Sequence, residues 1–119
     1  MKIYVTYPYG RRKSLTEEQC EANVQGAIGV ARQLIKKGHI PFVPNLYHYV
    51  HKGWEETLNE DAWLTEILLP WIESCDALYY DLTVNKGSEG CRIERQVAHD
   101  LGKEIFYDME DVPDEPPIV

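Results

Sequence analysis

The stretch Gly87-Ser-Glu-Gly-Cys-Arg-Ile-Glu-Arg-Gln-Val-Ala-His-Asp-Leu-Gly-Lys103 decides how the rest of the chain is arranged. It follows an apolar segment that ends at Asp81 and opens with small residues suited to a turn between a strand and a helix. Apolar residues then recur at the spacing of a helix, at positions 93, 97, 98 and 101. Glu94 shares a helical face with Ala98 and Leu101, because spacings of four and three place side chains together. A single carboxylate on this apolar face makes Glu94 the first candidate functional residue.

The segments around this stretch predict alternating strands and helices. Strands are expected at 2–7, 39–43, 76–81 and 104–107, from β-branched and aromatic residues bounded by turn formers. A first helix is predicted from Ser14 or Thr16 to Lys37, because Thr16-Glu-Glu-Gln19 has the form of a capping box and Gly38 follows its last turn. A second helix is predicted at 60–74, with a kink or a new turn at Pro70.

This alternation predicts an α/β protein with a parallel sheet, right-handed crossovers and helices on both faces. Ligands of such sheets bind beyond the carboxyl ends of the strands, near the point where the strand order reverses. The loop after Tyr7, the loop after Pro44 and the turn 81–90 are expected to meet there. Residues 45–61 are predicted to form a long irregular loop of the kind that often binds ligands.

The composition limits the classes of function. The chain has 119 residues, enough for one domain, and a formal net charge of −8, which argues against binding a nucleic-acid polymer. It has neither an apolar run long enough to span a bilayer nor a signal peptide at its start, so we expect a cytoplasmic protein without membrane contact. The domain is expected to cover residues 1–108, and the acidic, proline-rich residues 109–119 are expected to form a loose tail.

No cofactor or metal site is predicted. Three cysteines without a CxxC pair suggest reduced, packed thiols. His48 and His51 could bind a metal or protonate a leaving group, but without a clear third ligand we favour ordinary loop histidines. Several aromatic residues could stack on a nucleobase or form a dimer contact, and both roles stay open for Tyr7, Tyr9, Tyr47, Tyr49 and Trp54.

Two residues of the opening stretch have both a functional and a structural interpretation. The turn 85–90 leads into a helix, so its N–H groups and the helix dipole could hold a phosphate, while Ser88 could equally cap the helix. Glu94 could act as nucleophile or general base toward a sugar carbon, or form a structural ion pair. The residues alone leave both roles of Ser88 open, and for Glu94 they favour the structural ion pair.

Four segments of the chain can be compared with known families: Lys-Ile-Tyr-Val at the start, Gly-His-Ile-Pro-Phe-Val-Pro at 38–44, Cys-Asp-Ala-Leu at 75–78, and the stretch from Gly87 extended to Ile105. Together they resemble the nucleoside 2-deoxyribosyltransferase superfamily, which includes the deoxynucleoside monophosphate N-glycosidases. The resemblance covers about residues 2 to 107. It implies a flavodoxin-like, three-layer sandwich with a parallel sheet of about four to five strands, a homodimer, and cleavage of an N-glycosidic bond through a glutamate nucleophile.

The resemblance also implies roles for individual residues. Glu94 matches the nucleophile and Tyr4 the tyrosine that orients it. Ser88 is similar in place to a phosphate-contacting serine, and Arg11 or Arg12 to a phosphate-loop arginine. The substrate-binding residues expected in this way are Tyr7, Gly10, Arg11, Arg12, Asp81, Gly87, Ser88, Gly90 and Arg92.

Two positions depart from the superfamily pattern. Arg92 stands where a glycine is common, and it could crowd the sugar or add a phosphate contact. The general-acid aspartate should fall at about Leu68, where there is no carboxylate. Asp61 and Glu66 are near in sequence, and Asp81 closes the third strand. The group that protonates the leaving base is therefore unassigned.

The function that this resemblance implies is hydrolysis or transfer at the N-glycosidic bond of a nucleoside or (deoxy)nucleoside 5′-monophosphate. The basic residues near the expected site favour a monophosphate. One alternative is a non-catalytic module that binds or senses a nucleotide, motivated by the missing acid. Another is a nicotinamide-nucleotide hydrolase.

Overall fold

A computed structural model describes residues 1–9 and 15–117. Its four strands form one parallel sheet in the order β2-β1-β3-β4. They are β1 (Lys2–Thr6), β2 (Ile40–Phe42), β3 (Ala77–Tyr80) and β4 (Glu104–Phe106). The strand order reverses between β1 and β3, which is the switch point of a flavodoxin-like sheet. The predicted parallel α/β architecture is confirmed.

Helices connect the strands and cover both faces of the sheet. They are α1 (Glu17–Lys36), α2 (His48–His51), α3 (Glu60–Ala62), α4 (Leu69–Ser74) and α5 (Glu89–Asp100). Short 3₁₀ turns lie at Pro44–Tyr47 and Met109–Asp111. No helix among residues 1–9 and 15–117 is both long and apolar enough to cross a membrane.

The ends of α1 follow from local sequence. Thr16 caps the helix by accepting a hydrogen bond from the N–H of Gln19 at 3.1 Å, and the Gln19 side chain accepts from the N–H of Thr16 at 2.9 Å. Gly38, at φ +88°, lets the chain turn away after the last helical residues. The predicted capping box and glycine stop are both confirmed.

The helical stretch before β3 is continuous but changes its hydrogen-bonding register. A π-helical segment, Trp63–Leu68, joins α3 to α4. Pro70 is the second residue after this segment and has no N–H to donate to the carbonyl of residue 66, so the ladder of hydrogen bonds must change here. The predicted helix over 60–74 therefore contains a π-bulge just before the position where the sequence predicts a kink or a new turn.

Alternation along β1 divides the core into two layers. Ile3 and Val5 pack beneath α1, whereas Tyr4 points to the opposite face, toward α4 and α5. The layer around Tyr4 contains Ile72, Cys75, Leu78, Tyr80, Cys91 and Ala98. All three cysteines are buried and none forms a disulfide, as predicted. Leu101 is exposed, so the buried stripe of α5 runs through Cys91, Glu94 and Ala98.

Two expectations about irregular segments are corrected. Residues 44–51 are helical, so only the later part of the predicted loop 45–61 is irregular; one-turn helices are too short to produce a periodic signal. Residues 109–117 are not a loose tail. The Val112 side chain is buried in the core beneath α1, and the N–H of Glu115 donates to the carbonyl of Lys37 at 2.8 Å.

Candidate active site

A pocket of about 400 Å³ opens beyond the carboxyl ends of β1, β2 and β3. Its described lining comes from the segment after β1, the loop after β2, the helical stretch 60–68 and the turn into α5. The lining residues are Tyr7, Tyr9, Pro44, Asn45, His48, Glu60, Trp63, Leu64, Leu68, Gly87, Ser88, Glu89, Gly90, Cys91 and Glu94. The three segments that were expected to converge at the sheet edge do so.

Asparagine side chains from three different elements hold the segment after β1. Asn85 donates to the carbonyl oxygen of Thr6 at 3.0 Å, Asn45 to that of Pro8 at 3.2 Å, and Asn23 to that of Tyr9 at 3.0 Å. These carbonyls lie at or beyond the end of the strand, where no sheet ladder is available, so side chains satisfy them. The same bonds fix the pocket wall to α1 and to the loops after β2 and β3.

Glu94 lies in the second turn of α5, lines the pocket and is only 6% exposed. The hydroxyl of Tyr4 donates a hydrogen bond to Oε2 of Glu94. Tyr4 is fully buried and belongs to the middle of β1. The two residues that the resemblance pairs are therefore in contact, with the Glu94 carboxyl forming part of the pocket wall.

Burial dominates the electrostatics of this pair. Desolvation among apolar side chains raises the pKa of Glu94 from 4.5 to about 7, and the hydrogen bond from Tyr4 opposes that shift without cancelling it. The pKa of Tyr4 is raised well above its usual value, first by burial and then by the negative charge of Glu94. At neutral pH the carboxyl is therefore close to its own midpoint, where it can serve as an ionised nucleophile or as a base.

The turn into α5 fits the structural interpretation of Ser88. Its Oγ accepts a hydrogen bond from the N–H of Cys91 at 3.4 Å, which makes Ser88 the N-cap of the helix. Ser88 also lines the pocket, as do Gly87, at φ +81°, and Gly90. A Cβ at Gly90 would meet no atom within 4 Å, so packing does not require a glycine at this position.

Other predicted site residues lie elsewhere. The carboxylate of Asp81 accepts from the N–H groups of Thr83 and Val84 at 2.8 and 3.3 Å, so it forms the turn after β3 and does not line the pocket. Arg92 is exposed on α5 and is also absent from the lining. Gly10, Arg11 and Arg12 lie outside the described residues.

The expected position of the general acid does line the pocket. Leu68 is part of the pocket wall. Leu64 and Glu60 precede it by four and eight residues and line the pocket from the same side of the helical stretch. Asp61 and Glu66 are exposed and do not line the pocket. The spacing of 60, 64 and 68 was the signal that could have identified this wall from the sequence.

His48 is not an ordinary loop histidine. It is 4% exposed, lines the pocket and uses both ring nitrogens: Nδ1 contacts the hydroxyl of Tyr9, and Nε2 lies 2.8 Å from Oε1 of Glu17. Nε2 is also 3.5 Å from Oε2 of Glu21. His51, in contrast, contacts Thr57 through Nδ1 at 2.9 Å and packs against Trp63.

Glu17, Glu21 and His48 are also the described residues that could hold a metal ion, because their ligand atoms lie within 4.8 Å of one another. The ammonium of Lys52 lies 3.2 Å from Oε1 of Glu17. Hydrogen bonds, first from His48 and then from Lys52, lower the pKa of Glu17. The Glu17 carboxylate thus has partners within the protein in His48 and Lys52.

Of the aromatic residues with open roles, Tyr7 and Tyr9 line the pocket. Tyr49 and Trp54 are exposed, and Tyr47 packs edge-on against Trp63, with ring centroids 5.2 Å apart. Trp63 also lines the pocket, although it is not among the candidates that the sequence suggested. Tyr7, Tyr9 and Trp63 give the pocket aromatic surface suited to a flat ring.

The parallel sheet, its switch point and the pocket at its carboxyl edge define the flavodoxin-like class of α/β proteins. Within this class, the chain is similar to a solved 2-deoxyribosyltransferase from the psychrotolerant bacterium Bacillus psychrosaccharolyticus. The identity is 21%, the TM-score is 0.59, and the match covers 98% of this chain and 93% of that one. At this identity the likeness establishes a shared fold. Neither a scan of protein-family models nor a search of curated proteins finds a match.

Two glycines of α1 give a matched test of how the pocket wall is packed. A Cβ on Gly26 would overlap the ring of Tyr7, whereas a Cβ on Gly29 would meet nothing within 4 Å. We expect Gly29→Ala to raise the free energy of unfolding by about 0.5–1 kcal/mol, because alanine favours a helix. Gly26→Ala should lower the free energy of unfolding, because the overlap with Tyr7 outweighs the same gain in helix propensity. Chemical denaturation measures both, and equal effects would contradict this packing.

The raised pKa of Glu94 predicts a pH-dependent stability. Between pH 4.5 and about 7 the folded protein holds a proton on Glu94 that the unfolded chain has released, so burying this group lowers stability as the pH rises. Glutamine resembles the protonated acid and does not titrate. We expect Glu94→Gln to match the parent near pH 4.5 and to exceed it at pH 8 by up to about 3 kcal/mol.

Denaturation across this pH range measures the difference. Glu66→Gln is the control, since it makes the same chemical change at an exposed side chain. A constant difference between Glu94→Gln and the parent from pH 4.5 to 8 would show that Glu94 is not desolvated in this way.

Proposed function

We propose that this protein cleaves the N-glycosidic bond of a nucleoside or a (deoxy)nucleoside 5′-monophosphate, by hydrolysis or by transfer to another base. The observation that carries the proposal is the buried Glu94 carboxyl, hydrogen-bonded to Tyr4 and lining a pocket at the carboxyl edge of the sheet. A carboxylate held against an apolar layer is a group suited to attack a sugar carbon.

In the proposed reaction Glu94 acts as the nucleophile. Tyr4 donates to Oε2 and holds the carboxylate in one orientation, so that Oε1 attacks C1′ of the sugar. The bond between C1′ and the base nitrogen breaks, the base leaves with the electron pair and takes a proton, and a glycosyl ester forms on Glu94. Water or a second base then attacks C1′ and releases the carboxylate.

The pocket dimensions and its lining support a nucleoside-sized ligand. Its volume of about 400 Å³ lies in the range of small-molecule sites, and its wall combines aromatic and aliphatic surface with a few polar groups. The shared fold with a 2-deoxyribosyltransferase adds support for a nucleoside substrate. Tyr7, Tyr9 or Trp63 would stack on the base.

The choice between nucleoside and monophosphate depends on the anion site. The N-terminus of α5 and Ser88 lie at the pocket and suit a phosphate. Among the described lining residues there is no lysine or arginine, while Glu60 and Glu89 are present. A monophosphate therefore requires a cation from Arg11 or Arg12, and without it the neutral nucleoside is the better ligand.

A binding or sensing module is the second candidate. Leu68 lines the pocket at the position where the resemblance implies a general acid, so the wall is apolar at that point. Such a protein would bind the nucleotide and leave the glycosidic bond intact.

A panel of deoxynucleosides, their 5′-monophosphates and nicotinamide nucleotides tests the proposal, with free base measured by chromatography. We expect Glu94→Gln to reduce base release by roughly three orders of magnitude or more, since the nucleophile is removed. Intact mass should show a glycosyl adduct in the parent and none in the variant. Glu66→Gln, exposed and outside the pocket, is the control.

If Glu94→Gln releases base as fast as the parent, the mechanism is wrong. Thermal stabilisation by a nucleotide without any base release would favour the binding module.

Removing the Tyr4 hydroxyl should shift the pH dependence. Attack requires the ionised carboxylate, so kcat/KM is expected to rise as the pH rises through about 7, the pKa of Glu94 in the free protein. The hydrogen bond from Tyr4 lowers that pKa. Tyr4→Phe should therefore move the rising limb to higher pH, and an unshifted limb with a lower plateau would argue against this role.

A further inference from the structure

A chain of hydrogen bonds runs from the pocket to the protein surface through His48. Tyr9 lines the pocket, and its hydroxyl contacts Nδ1 of His48. Nε2 of His48 lies 2.8 Å from Oε1 of Glu17, the first residue of α1, whose side chain is exposed. The phenol in the pocket is thus connected through one buried imidazole to a carboxylate in solvent.

The surroundings of His48 hold this ring in one position. The imidazole is almost fully buried, edge-on to the ring of Tyr9, and both of its nitrogens have partners. Glu21 lies 3.5 Å from Nε2, on the same side as Glu17. A proton on Nε2 is directed to the carboxylates, and Nδ1 faces the hydroxyl of Tyr9, with which it can exchange a proton.

The proposed reaction needs a proton donor that Leu68 cannot provide. The hydroxyl of Tyr4 already donates to Glu94 and is fully buried. Glu89 lines the pocket but is exposed, and Glu60 is half-buried. Tyr9 differs from both carboxyls, because its hydroxyl has a buried imidazole from which a lost proton can be replaced.

We propose that Tyr9 protonates the departing base and that His48, positioned by Glu17, replaces the proton. The inference rests on the proposed glycosidic cleavage. It places the missing general acid in the segment after β1, and not in the helical stretch that contains Leu68.

The proton and electron balance closes over one turnover. With His48 as imidazolium, the base takes the electron pair of the C1′–N bond and the phenolic proton of Tyr9. Nδ1 of His48 then returns a proton to the Tyr9 phenolate. This leaves the His48 imidazole neutral, with Nε2 still hydrogen-bonded to Glu17. When water attacks the glycosyl ester on Glu94, its proton passes through Tyr9 to Nδ1 and restores the starting state.

The experiment compares leaving groups that differ in their need for an acid. 2′-Deoxyguanosine requires protonation of the base, whereas 7-methyl-2′-deoxyguanosine already carries the positive charge and leaves as a neutral base. Each is supplied as nucleoside and as 5′-monophosphate. We expect Tyr9→Phe to slow release of guanine by about 100-fold or more and that of 7-methylguanine by less than about threefold.

His48→Gln should show the same selectivity and serves if Tyr9→Phe disturbs the pocket. The matched controls are Tyr107→Phe and His99→Gln, both exposed and outside the pocket lining, which should slow neither substrate. Melting temperatures establish that each variant is folded.

The possible outcomes test the proton relay through Tyr9 and His48 separately from the cleavage reaction itself. Equal losses on both substrates, or no loss on either, in a protein whose parent cleaves both would overturn the relay and leave Glu94 as nucleophile. A parent that releases base from neither substrate, nor from any nucleoside or nucleotide of the panel above, would overturn the proposed function and the relay with it.

Discussion

The hydrogen bond between Tyr4 and Glu94 is the interaction on which the rest of this structure depends. It joins the middle of the central strand to α5 across an otherwise apolar layer. A buried carboxyl is costly without a donor, and Tyr4, whose side chain points from β1 toward α5, supplies one. The cost is offset only in part, since the pKa of Glu94 stays near 7. Burial of the Glu94 carboxyl thus lowers the stability of the folded protein at the residue that lines the pocket.

The sheet topology explains why a pocket forms beside that carboxyl. Connections after β1 and β3 leave in opposite directions at the switch point, so the carboxyl edge between them is left uncovered. The segment after β1 then crosses this edge, held at the carbonyls of Thr6, Pro8 and Tyr9 by asparagine side chains from α1 and two loops. Because each asparagine comes from a different element, the wall is rigid only when the whole domain is folded.

The pocket has two chemically distinct sides. Glu94 and the N-terminus of α5 approach from one side, and Tyr9 with His48 lies in the wall formed by the segments after β1 and β2. A flavodoxin-like fold by itself is compatible with many activities, so the arrangement of these groups carries the functional argument. Glu94 stands out because it combines burial, a directed hydrogen bond and access to the pocket. No other carboxylate among the described residues combines these three properties.

Local signals in the sequence were sufficient for the strands, the α1 capping box, the glycine stop after it and the unusual carboxylate at Glu94. These depend on neighbours within a few residues, where periodicity and capping act. The sequence resemblance also paired Glu94 with Tyr4, but their contact spans 90 positions and exists only in the folded chain. Tertiary structure alone decided the burial of His48 and the docking of Val112. Each depends on packing between distant elements, which no local pattern records.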